Sequence, residues 1–112
     1  MIEITLRDYL NNVLECPVYC ELPPNHPDTY VIIEKTGSGI TNYVKRATIA
    51  CQSIAPSMQS AAELNEAVKE AMDGAISLDT IARSHLDSDY NYTDQSIKGY
   101  RYQAVYDIVH YC

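Results

Sequence analysis

The spacing of apolar residues changes period along the chain, and that change restricts the fold more than any other feature. Leu6, Tyr9, Leu10, Val13 and Leu14 stand at i, i+3, i+4, i+7 and i+8. That is one face of a helix, with Arg7, Asp8, Asn11 and Asn12 directed away from it. Thr5 followed by Asp8 can satisfy the unpaired amides of a first turn, so the helix is expected to begin at Thr5; Cys16-Pro17 ends it, because the residue before proline avoids helical geometry. From Val18 the period drops to two, with Val18, Cys20 and Leu22 on one side, until Pro23, Pro24 and Pro27 interrupt any ladder. Residues 29–36 are rich in Tyr, Val and Ile on both faces and read as a central strand. Gly37-Ser38-Gly39 reads as a turn, and residues 43–53 as a long strand with Ala47, Ile49 and Cys51 inward and Val44, Arg46, Thr48 and Gln52 on a mixed outer face.

The helical period returns once. Met58, Ala61, Leu64, Val68, Ala71, Met72 and Ala75 form an apolar stripe, opposite Gln59, Glu63, Glu66, Lys69, Glu70 and Asp73. Its start is expected at Ser57 or Ser60, since Ser60 and Glu63 offer a capping box, and Gly74 is placed to cap its C-terminus. Residues 76–83 cross back, Leu86, Ser88, Tyr90 and Tyr92 alternate with His85, Asp87, Asp89 and Asn91 in a further strand, and residues 94–99 form a hairpin loop. Residues 100–111 are the last strand, with Tyr100, Tyr102, Ala104, Tyr106 and Ile108 on one face. The expected fold is therefore an α+β two-layer sandwich over residues 1–112, in the order α-β-β-β-α-β-β. It has a mainly antiparallel sheet of about five strands and two helices on one face. The other face is left to water or to a partner.

Composition narrows the functions available. Eight Lys plus Arg against 15 Asp plus Glu give a net charge of -7, which disfavours a broad phosphate-gripping surface, because attraction to a polyanion needs excess positive charge. All ten aromatic residues are Tyr, side chains that fill space at one end and hydrogen-bond at the other, as interfaces require. No basic-then-apolar leader and no membrane span are read from the sequence, so synthesis in a reducing cytoplasm is expected, with Cys16, Cys20, Cys51 and Cys112 as free thiols. The Cys16-x3-Cys20 pair lacks a second ligand pair for zinc, and Asn91-Tyr92-Thr93 is a chance glycosylation triplet.

Few residue patterns suggest chemistry. On a regular strand His85, Asp87 and Asp89 would share a face and could hold a divalent metal, although the same alternation describes a solvated face. Gly37-Ser38-Gly39 lacks the Lys-Ser/Thr and helix of a phosphate loop, and no nucleophile-base-orienter set is present. No catalytic residue, cofactor or metal ligand is therefore assigned. Tyr43, Tyr90, Tyr92, Tyr100, Tyr102, Tyr106 and Tyr111 all fall in expected strands, divided between core packing and a subunit rim. Lys35, Lys45, Arg46, Lys98 and Arg101 make the only local basic density, near strand ends and loops.

Three segments, VIIEKTGSGI (31–40), SMQSAAELNEAVKEAM (57–72) and SDYNYTDQSIKGYRYQAVYDIVHY (88–111), together resemble the tail-completion or tail-terminator proteins of siphophages and prophages of Gram-positive bacteria. The resemblance implies a non-enzymatic subunit of the virion tail or neck, made in the host cytoplasm. It would assemble as a homo-hexameric ring on the tail tube protein, stop tube growth and meet the head-closure or connector protein. DNA would be only a passing cargo, which an acidic lumen repels instead of holding. Such a ring is heterologous, and Lys98, Tyr100, Arg101 and Tyr102 are its expected interface residues. Two further readings belong to other classes: a cytoplasmic small-molecule-binding regulatory module, and a metal-dependent enzyme using His85, Asp87 and Asp89.

Overall fold

A computed structural model describes residues 2–41, 44–93 and 99–111. The chain runs α1 (Ile2–Val13), β1 (Val18–Tyr19), β2 (Tyr30–Thr41), β3 (Val44–Ala55), α2 (Met58–Asp73), a 3-10 turn (Gly74–Ser77), β4 (Ile81–Asn91) and β5 (Tyr100–His110). The strands form one sheet in the order β1-β2-β3-β5-β4, all neighbours antiparallel except the parallel pair β1-β2. The fold is α+β with a mixed five-stranded sheet and two helices, in the order expected.

Both helices pack on the same face. Ile2, Leu6 and Leu10 of α1 and Val68, Ala71 and Met72 of α2 share one core cluster with Val31, Ile33, Ala47, Ile49, Cys51, Ala104, Tyr106 and Ile108 of the sheet. Helix α1 begins at least three residues earlier than the capping pattern indicates: Ile2 continues the buried i, i+4, i+8 line of Ile2, Leu6 and Leu10, and burial of that stripe outweighs the cap. Val13, placed in the same stripe, is instead 52% exposed at the C-terminal end of the helix. Helix α2 begins after Ser57, which has an extended backbone and whose Oγ accepts the Ser60 amide at 3.1 Å.

Strand β1 is only two residues long, fenced by Pro17 before it and Pro23 after it, and Asn11 of α1 closes its outer edge. The Asn11 side chain donates to the Val18 carbonyl at 3.1 Å and accepts from the Val18 amide at 2.9 Å, so both backbone groups that face away from β2 are satisfied. Helix α1 is thus tied to the sheet by a polar clamp as well as by its apolar stripe.

Two corrections concern the strands. Gly37-Ser38-Gly39 is not a turn but part of β2, opposite Thr48, Ala47 and Arg46, with a register shift between Lys35 and Gly37. Glycine in a strand marks a bulge as readily as a turn, and here the bulge lets β2 run on to Thr41. Strand β4 carries two further shifts, between Ile81 and Arg83 and between Leu86 and Ser88. Tyr106, one of the tyrosines divided between core and rim, is fully buried; its hydroxyl lies 3.1 Å from the Lys69 carbonyl and 3.2 Å from Asp73 Oδ1. Among the described residues no helix is long and apolar enough to cross a membrane.

Candidate functional site

The sheet face opposite the helices carries no second layer among the described residues. Its composition follows from register. Directly paired residues share a face, so the partners of the core positions point to the helices and the residues between them point outward. One outward row runs Ile32, Gln52, Gln103, Tyr90 across β2, β3, β5 and β4. Gln52 Nε2 donates to Gln103 Oε1 at 3.1 Å, and Gln103 Nε2 donates to the Tyr90 hydroxyl at 2.6 Å. The result is a hydrogen-bonded ladder over three strands.

The next outward row begins Tyr30, Ile54, Arg101. The Arg101 guanidinium stands 4.5 Å from the Tyr92 ring centroid, and its Nε donates to the Tyr92 carbonyl at 3.0 Å. Tyr92 in turn meets Tyr90 edge-on at 5.7 Å. Burial pushes the Tyr30 phenol above its ordinary pKa, against a smaller opposing pull from Arg101. His26, 4.7 Å from the Tyr30 ring, walls this end of the face. Ala50 and Ile54 are buried although no helix covers them, flanked in register by Glu34 and Val105 and by Tyr30 and Arg101. The surface is apolar at its centre, with fixed hydrogen-bond donors and rings around it, and Tyr90 and Tyr92 stay 40% and 46% exposed.

The four expected interface residues do not make one patch. Arg101 belongs to the open face, whereas Tyr100 and Tyr102 take the parity of Ala104, Tyr106 and Ile108 and point to the helix side, opposite Ala55 and Ser53. Lys98 lies outside the described residues, as do Tyr43 and Cys112. Tyr90, Gln52 and Gln103 carry the open face in place of the tyrosine pair. The period-two pattern put Gln52 on an outer face, but only the cross-strand register brings it to Gln103. The basic cluster divides as well: Lys35, Lys45 and Arg46 line a cleft at the N-terminal end of α1, and Arg101 sits at the other end of the sheet.

His85, Asp87 and Asp89 are separated by the β4 bulge. His85 pairs with Asp107 on the open face, Asp87 occupies the shift itself, and Asp89 pairs with the core residue Ala104. There Asp89 accepts Asn65 Nδ2 at 2.6 Å and Lys69 Nζ at 2.5 Å, so this carboxylate holds α2 to the sheet. One extra residue in a strand reverses the face of everything after it, which breaks the shared face that a metal site would need. No group of three or more metal-ligating side chains occurs among the described residues.

The described thiols offer no reactive centre. Burial pushes Cys51 up to about 12, and Cys16 and Cys20 are also raised, mainly by burial, so all three favour the neutral thiol. No family model and no curated protein sequence matches the chain.

Proposed function

We propose that the chain is a structural subunit that associates with copies of itself into a closed ring, of the kind that caps a phage tail tube and joins it to the head connector. The observation that carries this reading is the uncovered sheet face, where the Gln52-Gln103-Tyr90 ladder and the Arg101-Tyr92-Tyr90 cluster are held rigid in the isolated chain. Side chains already fixed before contact lose little conformational freedom on binding, and Tyr and Arg are the residues that anchor protein interfaces. The net charge of -7 suits a ring through which DNA passes without adhering. The resemblance of three segments to tail-completion proteins supplies the class of assembly. Catalysis has no place in this reading.

The test is electron microscopy of the purified protein alone and with growing tail tubes. Annular particles, and tubes that stop growing once the protein is added, are the expected results. Tyr90→Ala combined with Arg101→Ala should weaken both while leaving the melting temperature within a few degrees, since both residues lie at the surface. A protein that neither forms rings nor binds tube ends would overturn the reading.

A further inference from the structure

The helix layer stops short of the sheet at one end. Beyond the N-terminus of α1, the helix-side faces of β2, β3 and β5 form a cleft of about 670 Å³ with Lys35, Lys45, Arg46 and His110 in its lining. Lys35 and Lys45 meet there on the helix side, and Arg46, paired with Gly39 and Val109, borders the cleft from a strand position of open-face parity. The other described cations are differently engaged: Arg7 with Asp8, Lys69 with Glu66 and Asp89, and Arg101 on Tyr92, leaving only Arg83 unpaired outside the cleft. Among the described residues, Lys45 and Arg46 have no ion pair, although Lys45 is half-buried. A half-buried ammonium group without a counter-charge is a standing electrostatic cost that an incoming anion removes.

Two more features limit what that anion is. The lining is partly apolar, with Ile2, Ala47 and Ile40, and Ile40 is 72% exposed. Glu3 Oε1 is buried there with no hydrogen-bond donor, its nearest cation Lys35 being 3.9 Å away. An occupant that supplies carboxylates, an N–H donor and some apolar surface together is a polypeptide and not a simple ion.

We infer that this cleft receives the outer face of α2 from a second copy of the chain. This rests on the self-assembly reading above. Gln59, Glu63, Glu66 and Glu70 stand at i, i+4, i+7 and i+11 and so form one line on α2, about 16 Å long at helical rise. Glu63, Glu66 and Glu70 are exposed, and the Gln59 amide, which spends one N–H on Glu63 Oε1 at 3.1 Å, has a second to donate. The line faces away from the sheet, so it cannot reach the cleft of its own chain. Basic cleft against acidic helix is a head-to-tail contact, which repeats from copy to copy until it closes.

Sedimentation velocity at low and high ionic strength tests this contact with two charge-reversed proteins: Lys45→Glu with Arg46→Glu, and Glu63→Lys with Glu70→Lys. All four positions lie outside the core, and a thermal melt checks that each protein folds. Each is expected to lose self-association by at least about tenfold. Mixed together, they offer two productive pairings, intact cleft with intact helix and reversed cleft with reversed helix, and should assemble again with the two proteins alternating. All four reversals in a single chain should restore assembly. Unchanged assembly of the cleft variant overturns this contact and leaves the assembly reading standing, as does failure of both the mixture and the fourfold variant to pair. Binding of inorganic phosphate that depends on Lys45 and Arg46 without altering association would make the cleft an oxyanion site and overturn the contact. A wild-type chain that stays monomeric at low salt and at the highest attainable concentration overturns both readings.

Discussion

Tyr9 of α1 lies against Gly74 at the C-terminal end of α2. The Tyr9 hydroxyl donates to the Ala71 carbonyl at 2.8 Å and stands 2.9 Å from where a β-carbon on Gly74 would lie. Gly74 caps α2 as the sequence indicates, but in right-handed geometry, φ -80 and ψ -7, and the chain continues into the 3-10 turn. The glycine is needed for space and not for a left-handed turn.

Gly74→Ala gains up to about 1 kcal/mol of backbone propensity and loses more by displacing the Tyr9 hydroxyl from Ala71. A net destabilisation of about 1 kcal/mol is expected, and Tyr9→Phe alone should cost a similar amount through the lost hydrogen bond. In the double variant the clash is gone and alanine becomes neutral or stabilising. Urea denaturation of the four proteins measures the coupling, and strict additivity would show that the two sites do not interact.

The two corrections at bulges share one physical cause. Alternation in a sequence specifies faces only while every residue of a strand is paired, and nothing in His85-Leu86-Asp87-Ser88-Asp89 announces that Asp87 is the extra one. The helices, the order of elements and the core positions Ala47, Ile49, Cys51, Ala104, Tyr106 and Ile108 were legible, because burial of a whole face leaves a periodic mark. Asn65 was not: a polar residue 2% exposed in the α2 stripe is explained only by Asp89 across the gap. On the open face, parity separates Arg101 from Tyr100 and Tyr102, which the expected interface had grouped with it, and the Gln52-Gln103 pair depends on a register between segments far apart in the chain.

Asp89 is the predicted weak point of the helix-sheet contact. Asp89→Ala leaves the buried Asn65 Nδ2 without an acceptor and removes one of two carboxylates from Lys69, for a cost of about 1–3 kcal/mol in chemical denaturation. Asp89→Asn keeps an acceptor for Asn65 and should lose less. Equal losses in the two variants would indicate that the charge on Lys69, and not the hydrogen bond, is what matters.

Gly99 requires its glycine for a different reason. Its φ is +118, and a β-carbon would approach the Ala55 carbonyl oxygen at 3.0 Å. Gly99→Ala is therefore expected to cost about 1–3 kcal/mol in backbone strain. Gly39, whose β-carbon would meet nothing within 4 Å, is the control, and Gly39→Ala should change stability far less. Paired thermal melts decide the matter, and a Gly99→Ala protein as stable as the control would remove the strain argument.

Alkaline pH is expected to destabilise the fold through groups it holds protonated. The Cys51 thiol is raised from 9.0 to about 12 by burial. Its protonated form is favoured in the folded state, so that its contribution is fully present below 9.0 and lost as pH climbs toward 12. Within that window one such group contributes a slope of about 1.4 kcal/mol per pH unit. Tyr106, raised chiefly by burial and then by Asp73, acts in the same direction from the ordinary tyrosine value upward. Lys69, raised first by its hydrogen bond to Asp89, loses its stabilising charge as pH passes through its elevated folded pKa. Denaturation midpoints under reducing conditions, followed upward from pH 9.0, should fall more steeply for the wild-type chain than for Cys51→Ala, which lacks the buried thiol. Parallel curves for the two proteins would show that Cys51 ionises without resistance from the fold.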